Sequence, residues 1–199
     1  VRAAEPLGHD ADLWQRLVAT GAVSMAVPEA AGGDGGTLVD LVLVAEEHGR
    51  VVAPVPLVAH VVATRLLAAA GAPADVVAAA GAGERVVTVA PLPAVSGVRQ
   101  LVPEGAIARD VLAWSPQGLV LHTGERAGAH VANQGSTPLA WWDPGEAGER
   151  LALASGPRAE RLFRTAVVEW KLLTAAALVG ISESALRLGV EFARTRRTL

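Results

Sequence analysis

Apolar and polar positions follow two different periods along this chain, and the period changes twice. Leu13, Trp14, Leu17 and Val18 recur at the three-and-four spacing of an amphipathic helix, with Asp10 or Asp12 as its cap and Thr20-Gly21 as its stop. Ala22 to Val27 reads as extended, because Pro28 bars a helix from running through it. A glycine-rich stretch, Gly32-Gly33-Asp34-Gly35-Gly36, then predicts a flexible helix–helix connection. Thr37-Leu38-Val39-Asp40 has the form of a capping box with Asp in place of the usual Glu. The helix it opens carries Leu38, Leu41, Val42 and Ala45 on one face and closes at Glu46-Glu47-His48-Gly49, with Gly49 expected in the left-handed position beyond the last turn. Pro54 and Pro56 bracket an extended link. A third helix is expected over Leu57 to Ala70, and a short fourth near Ala74 to Ala80.

After Gly81-Ala82-Gly83 the helical period gives way to short Val- and Thr-rich runs separated by turn residues. About seven strands are expected: Arg85–Ala90, Leu101-Val102, Val111–Trp114, Leu119–His122, Trp141-Trp142, Leu151–Ala154 and Arg161–Ala166. No helical period is read between 85 and 165. From about Val167 to Leu199 the chain runs without proline, a rod of about 45 Å if helical. Its first part, Leu172 to Ile181, is apolar all round and predicts burial on every side. Its second part keeps one seam, Leu178, Ile181, Ala185, Leu188 and Phe192, opposite a polar face with Glu183–Arg187 as an i,i+4 pair. No capping residue follows Arg194-Thr195-Arg196-Arg197-Thr198-Leu199, so the expectation is a chain cut short inside a helical bundle. The whole reads as α+β: a helical domain over 1–83, a middle β domain over 84–166, and the start of a helical bundle over 167–199.

Composition narrows the functions open to such a chain. Half of its 199 residues are apolar and its net charge is −3, so it lacks the basic surface that nucleic acid or an anionic membrane requires. Without cysteine it has no disulfides and no thiolate chemistry. Its five histidines, His9, His48, His60, His122 and His130, show no ligand spacing, and no metal site is expected. No run is read as long and apolar enough to span a bilayer, nor as a signal peptide, which makes a cytoplasmic protein the expectation. Val1 in place of Met predicts further residues before it. The glycine loop matches neither phosphate-binding pattern, since no strand leads in and no lysine follows. Glu46 and Glu47 stand in a last helical turn, where negative charge is unfavourable without a partner; a solvated face is the other reading. Arg194, Arg196 and Arg197 suit bidentate binding of phosphate, or equally a solvated helix end that complements the dipole.

Taken together, Val27-Pro28-Glu29-Ala30-Ala31-Gly32-Gly33-Asp34-Gly35-Gly36 and Glu46-Glu47-His48-Gly49-Arg50 with Ala53-Pro54 resemble the N-terminal domain of acyl-CoA dehydrogenases. The tail Val190 to Leu199 is similar to that family's Y-A-x-x-R-x-x-F-G helix, and Leu178-Val179-Gly180 with Ala185-Leu186 fits the run before it. The resemblance implies a helical N-terminal domain, a central antiparallel β-sandwich or barrel, and the first helix of a C-terminal four-helix bundle. It further implies FAD as cofactor and α,β-desaturation of an acyl-CoA thioester, a glutamate taking the α-proton and the flavin the hydride. Arg196, Arg197 and Thr198 would touch the FAD pyrophosphate, reaching a flavin bound by a neighbouring subunit. Electron-transfer flavoprotein is the implied acceptor, and a tetramer the implied assembly.

Departures from the family pattern carry equal weight. The flavin loop T-E-P-G-x-G-S-D stands here as Thr88-Val89-Ala90-Pro91-Leu92-Pro93-Ala94-Val95-Ser96, without the glutamate and glycines and with two prolines that lack an N–H. The G-x-K-x-W-I-T strand becomes Gly97-Val98-Arg99-Gln100-Leu101-Val102-Pro103, which removes a hydroxyl and an N–H. The family's bundle-helix base falls on Trp170, with Glu169 one residue away and about 100° round the helix. Glu169 is therefore either the base or a structural or exposed carboxylate. Three readings follow: the partner subunit that completes another subunit's FAD site, as in members acting on bulky or steroid acyl chains; a self-sufficient homo-oligomeric dehydrogenase; or a non-catalytic scaffold of the same fold.

Overall fold

Helix α1 (Ala11–Ala19) starts where the Asp10 carboxylate accepts the Leu13 N–H at 2.9 Å, and it buries Trp14. The computed structural model of the chain describes residues 7–124, 128–146 and 148–196. Helix α2 (Leu38–Arg50) opens on the expected capping box: the Thr37 hydroxyl accepts the Asp40 N–H, and the Asp40 carboxylate accepts the Thr37 N–H at 2.8 Å. Helices α3 (Leu57–Ala70) and α4 (Ala74–Gly81) fall where the periodicity put them. The core helix is α3, with Leu57, Val61, Val62, Leu66 and Leu67 buried together with His60 and Thr64.

His60 ties three elements together. Its Nδ1 accepts the Val87 N–H at 3.1 Å, so Nε2 carries the proton and donates to the Ala80 carbonyl at 2.9 Å. The ring packs edge-on against Trp14. Burial pushes its pKa down to about 4.

Six of the expected strands are present: β1 (Val87–Val89), β2 (Gln100–Val102), β3 (Asp110–Ser115), β4 (Gly118–Thr123), β5 (Ala140–Trp142) and β6 (Glu149–Ala154). They form a four-stranded sheet in the order β1-β3-β4-β6 and a separate β2–β5 ribbon. The middle domain is not wholly antiparallel, because β1 and β3 pair in parallel. The chain leaves the sheet after β1, crosses to the ribbon as β2, and returns in the starting direction. Asp110, fully buried at the start of β3, is held by Arg85 (2.5 and 2.7 Å) and by the Thr123 hydroxyl (2.7 Å).

Other expectations need correction. Arg161–Ala166 is helix, not strand, and lies inside α5 (Gly156–Thr195), which begins well before Val167. The buried seam Ala159, Phe163, Ala166, Leu173, Ala176 and Gly180 has helical spacing, but three alanines and a glycine make it faint in the sequence. Pro157 sits in the first turn, where its missing N–H costs nothing. Phe163 stacks on Trp114 at 5.5 Å, joining the start of α5 to the sheet. Ala22–Val27 is not a continuous extended run: Ser24–Ala26 makes a 3-10 turn. The glycine loop is tied to it, with the N–H groups of Asp34, Gly35 and Gly36 donating to the carbonyls of Ser24, Val27 and Met25.

Gly49 does not cap α2. It lies within the helix and is buried against α5, where an added Cβ would overlap the Ala177 carbonyl; one added at Gly180 would overlap the Glu46 carbonyl. The left-handed residue is Val52 (φ 48°), with the Ala53 N–H bonded to His48 and the Val52 N–H to Gly49. Glu46 and Glu47 do have a partner: Arg50 binds both, and Glu183 of α5 as well, so Glu183 serves that cluster rather than the expected i,i+4 pair with Arg187. Nor is Leu172–Ile181 buried all round. Leu173, Ala176 and Gly180 face α2 and α3, while Leu178 and Val179 are half exposed, as are Leu188 and Phe192 further along. By length and composition α5 could cross a bilayer, contrary to the sequence reading, which assigned its first turns to a strand. Part of α5 packs on α2, α3 and the sheet.

Two outcomes are expected. Gly49→Ala loses more than about 2 kcal/mol in urea unfolding because the helices must part, whereas Gly189→Ala, with open space around its Cβ position, is neutral or stabilising. Because His60 is neutral in the fold, the unfolded chain takes up its proton first as pH falls. Its contribution is full above pH 6.5 and declines toward pH 4, by about 3 kcal/mol in all. Urea unfolding across that range shows a shallower pH slope in His60→Gln.

Candidate functional site

In the segment that would face a flavin, 88–103, five backbone donors are already bonded within the chain. The Ala90 N–H bonds the Leu112 carbonyl at 2.9 Å and the Ala94 N–H bonds the Trp114 carbonyl at 2.7 Å, both across to β3. The Leu92 N–H donates to the Gln100 side-chain oxygen at 3.0 Å, and the Gln100 amide donates back to the Leu92 carbonyl at 3.1 Å. The Gly97 N–H goes to Asp143 Oδ1 and the Val98 N–H to the Val95 carbonyl. Pro91 and Pro93 have none. The Thr88 hydroxyl is bonded to the Pro103 carbonyl at 2.7 Å. Facing outward are Leu92, Val95 and Val98, each more than half exposed, with Ser96 and Arg99 exposed beside them. A flavin ring and pyrophosphate need N–H and O–H donors. Ser96 and Arg99 are exposed, but the N–H groups of Ala90, Leu92, Ala94, Gly97 and Val98 are already engaged and two prolines have none, so the loop backbone does not fit FAD as a cradle.

At the far end of α5, Arg196 forms the C-cap and stacks its guanidinium 5.5 Å from the Phe192 ring centre. Arg197 and Thr198 lie outside the described residues. Glu169 is bound by Arg65 of α3, at 3.0 Å to Nε and 3.3 Å to Nη2, with only 15% of its side chain exposed. The pair fastens α5 to α3 beside a small apolar space of about 240 Å³. Trp170, the position the family pattern gave to the base, packs against the core.

A separate cleft lies elsewhere. About 590 Å³ opens between β3–β4 and the β2–β5 ribbon, lined by Arg99, Arg109, His122, Trp141 and Asp143 among others, and neither Glu169 nor Arg196 lines it. His122 there is buried against Trp142, which lowers its pKa to about 4 with help from Arg150. Glu104, after β2, takes a left-handed backbone (φ 59°), and enclosure of its carboxyl pushes the pKa up to about 8, although the residue as a whole is half-buried. Among the described residues no cluster of metal-ligating side chains occurs. The residues that sequence reasoning missed are Gln100 and Arg65. A polar side chain at the inward register of a strand was the available signal for the first. Nothing short of the α3–α5 contact could reveal the second.

Residues 2–75 match the family described as acyl-CoA dehydrogenase, N-terminal domain. The chain is 31% identical over 193 residues to acyl-CoA dehydrogenase IpdE2 of Mycobacterium tuberculosis, covering 95% of this chain and 55% of that protein. It is 40% identical over 74 residues to IpdE2 of Mycolicibacterium smegmatis, covering 36% and 24%. The chain thus spans about half the length of the first of these relatives or less. Among solved structures it is similar to the ChsE4-ChsE5 complex of Mycobacterium tuberculosis, with 25% identity, a TM-score of 0.70, and coverage of 96% of this chain and 59% of that one. A variant of the Tcur3481-Tcur3483 steroid ACAD matches with 24% identity and a TM-score of 0.78 over 96% and 59%. PigA with FAD and proline matches with 15% identity and a TM-score of 0.77 over 100% and 63%. The last two likenesses speak to the fold alone. The α+β fold and the resemblance drawn from the sequence are both borne out.

Arg65→Met is expected to destabilise by about 1–3 kcal/mol, because it leaves the largely buried Glu169 carboxylate without its partner. In a double-mutant cycle with Glu169→Gln, urea unfolding returns most of that loss as coupling energy.

Proposed function

The N-terminal domain of this chain belongs to the acyl-CoA dehydrogenase family, and from that premise we propose that the chain is the partner subunit of a heteromeric acyl-CoA dehydrogenase. It assembles with a second, intact subunit that holds most of the FAD, and Arg196, Arg197 and Thr198 complete that subunit's pyrophosphate site. The observation that carries this reading is the contrast between the two ends of the chain. Its own flavin-facing loop has the N–H groups of Ala90, Leu92, Ala94, Gly97 and Val98 bonded internally, while the sequence after its long helix carries Arg196-Arg197, suited to phosphate. The name of the ChsE4-ChsE5 complex supports a two-chain assembly, and a bulky acyl-CoA as substrate belongs to the same proposal. Glu169 is engaged by Arg65, and proton abstraction falls to the partner subunit. Electron-transfer flavoprotein as acceptor and a cytoplasmic location belong to the same proposal.

Expression of the full-length protein alone, and together with an intact acyl-CoA dehydrogenase, distinguishes the readings by flavin absorbance. The expected result is colourless protein alone and a yellow complex with about one flavin per pair of chains. Substituting Arg196 and Arg197 with methionine in that complex lowers FAD affinity on the order of tenfold or more. Stoichiometric flavin on the isolated protein would favour a self-sufficient dehydrogenase; colourless protein that joins no relative would favour a scaffold.

A further inference from the structure

Gln100 sits in β2 with its side chain on the inward side, 7% exposed, while its neighbour Leu101 faces out. A buried primary amide needs both a donor and an acceptor, and here one peptide unit's worth of groups serves both: Leu92 N–H to the side-chain oxygen, and side-chain nitrogen to the Leu92 carbonyl. The reciprocal pair imitates a rung of a β ladder between a loop and a strand eight residues apart. Leu92 is well placed for it. Pro93 restricts Leu92 to extended backbone, and Pro91 fixes the residue before, so little chain entropy is lost on closing. Leu92 also carries the lone N–H within 91–93. Ala94 on β3 and Gly97 on Asp143 fasten the rest of the loop.

We propose that Gln100 is a built-in occupant of this loop, whose amide locks residues 91–98 shut against a flavin. The proposal deepens the reading above, resting on it only in taking 88–103 as the flavin-facing segment. The loop is then not merely short of binding groups. It is held by an interaction that a ligand would have to break, and breaking it exposes a buried donor and a buried acceptor together. Gln100 acts here as a positioning residue. Glutamate in its place keeps the size and the acceptor but sets a carboxylate against the Leu92 carbonyl; leucine keeps the volume and offers neither bond.

Hydrogen exchange of residues 91–98, measured on the full-length protein by mass spectrometry, tests the lock directly. The native loop is expected to be protected, and both Gln100→Leu and Gln100→Glu to exchange on the order of tenfold faster at Leu92 and Ala94. FAD titrated into the native protein alone is expected to show no saturable fluorescence change. Two results would overturn the proposal: equal loop exchange in native protein and in whichever of the two variants folds, or stoichiometric FAD on the native chain that Gln100→Glu releases. Failure to form a complex with an intact relative would instead sink the partner-subunit reading and leave the exchange result standing.

Discussion

Two helices that touch backbone to backbone set the geometry of this molecule. Gly49 of α2 lies against the carbonyl of Ala177 and Gly180 of α5 against the carbonyl of Glu46, an approach no larger residue permits at either place. A helix of forty residues, about 60 Å long, is thereby fixed near its middle. Arg50 then bridges Glu46 and Glu47 on its own helix to Glu183 on α5, and the Ser184 hydroxyl bonds the Arg50 carbonyl at 2.6 Å. Those exposed charges add modest energy. Their larger effect is to fix the rotation of α5 against α2.

The same helix joins the two halves of the fold. Its first turns stack Phe163 on Trp114 of the sheet, its centre lays Leu173 and Ala176 against the helical domain, and Arg65 with Glu169 fastens it to α3 between those contacts. His60 supplies a second junction, bonding α4 and β1 from within α3. With both junctions rigid, the 91–98 loop and the ribbon behind it have a fixed frame against which Gln100 and Asp143 close it.

Much of the fold was legible in the chain. The capping box at Thr37, the four helices before residue 83 and six strands followed from spacing and turn chemistry, because each is decided by neighbours a few residues away. The errors share one cause. Gly49 looked like a stop because glycine commonly ends a helix, yet a distant backbone had claimed it. Arg161–Ala166 looked like a strand because the seam that makes it helical is built mostly from alanine. Burial all round Leu172–Ile181 was inferred from composition, whereas burial depends on what neighbours are present.

Residues acting within one or two turns of themselves were fixed by the sequence alone: caps, turns, the prolines that strip the 91–93 loop of donors, and the run of arginines at the end. Pairings across distance were decided only by the tertiary structure, including Gln100 with Leu92, Arg65 with Glu169, and Arg50 with Glu183. The physical reason is that a side chain announces how many hydrogen bonds it can make but not with whom. A lost motif is visible as missing letters; what has taken its place is visible only when the chain has folded back upon itself.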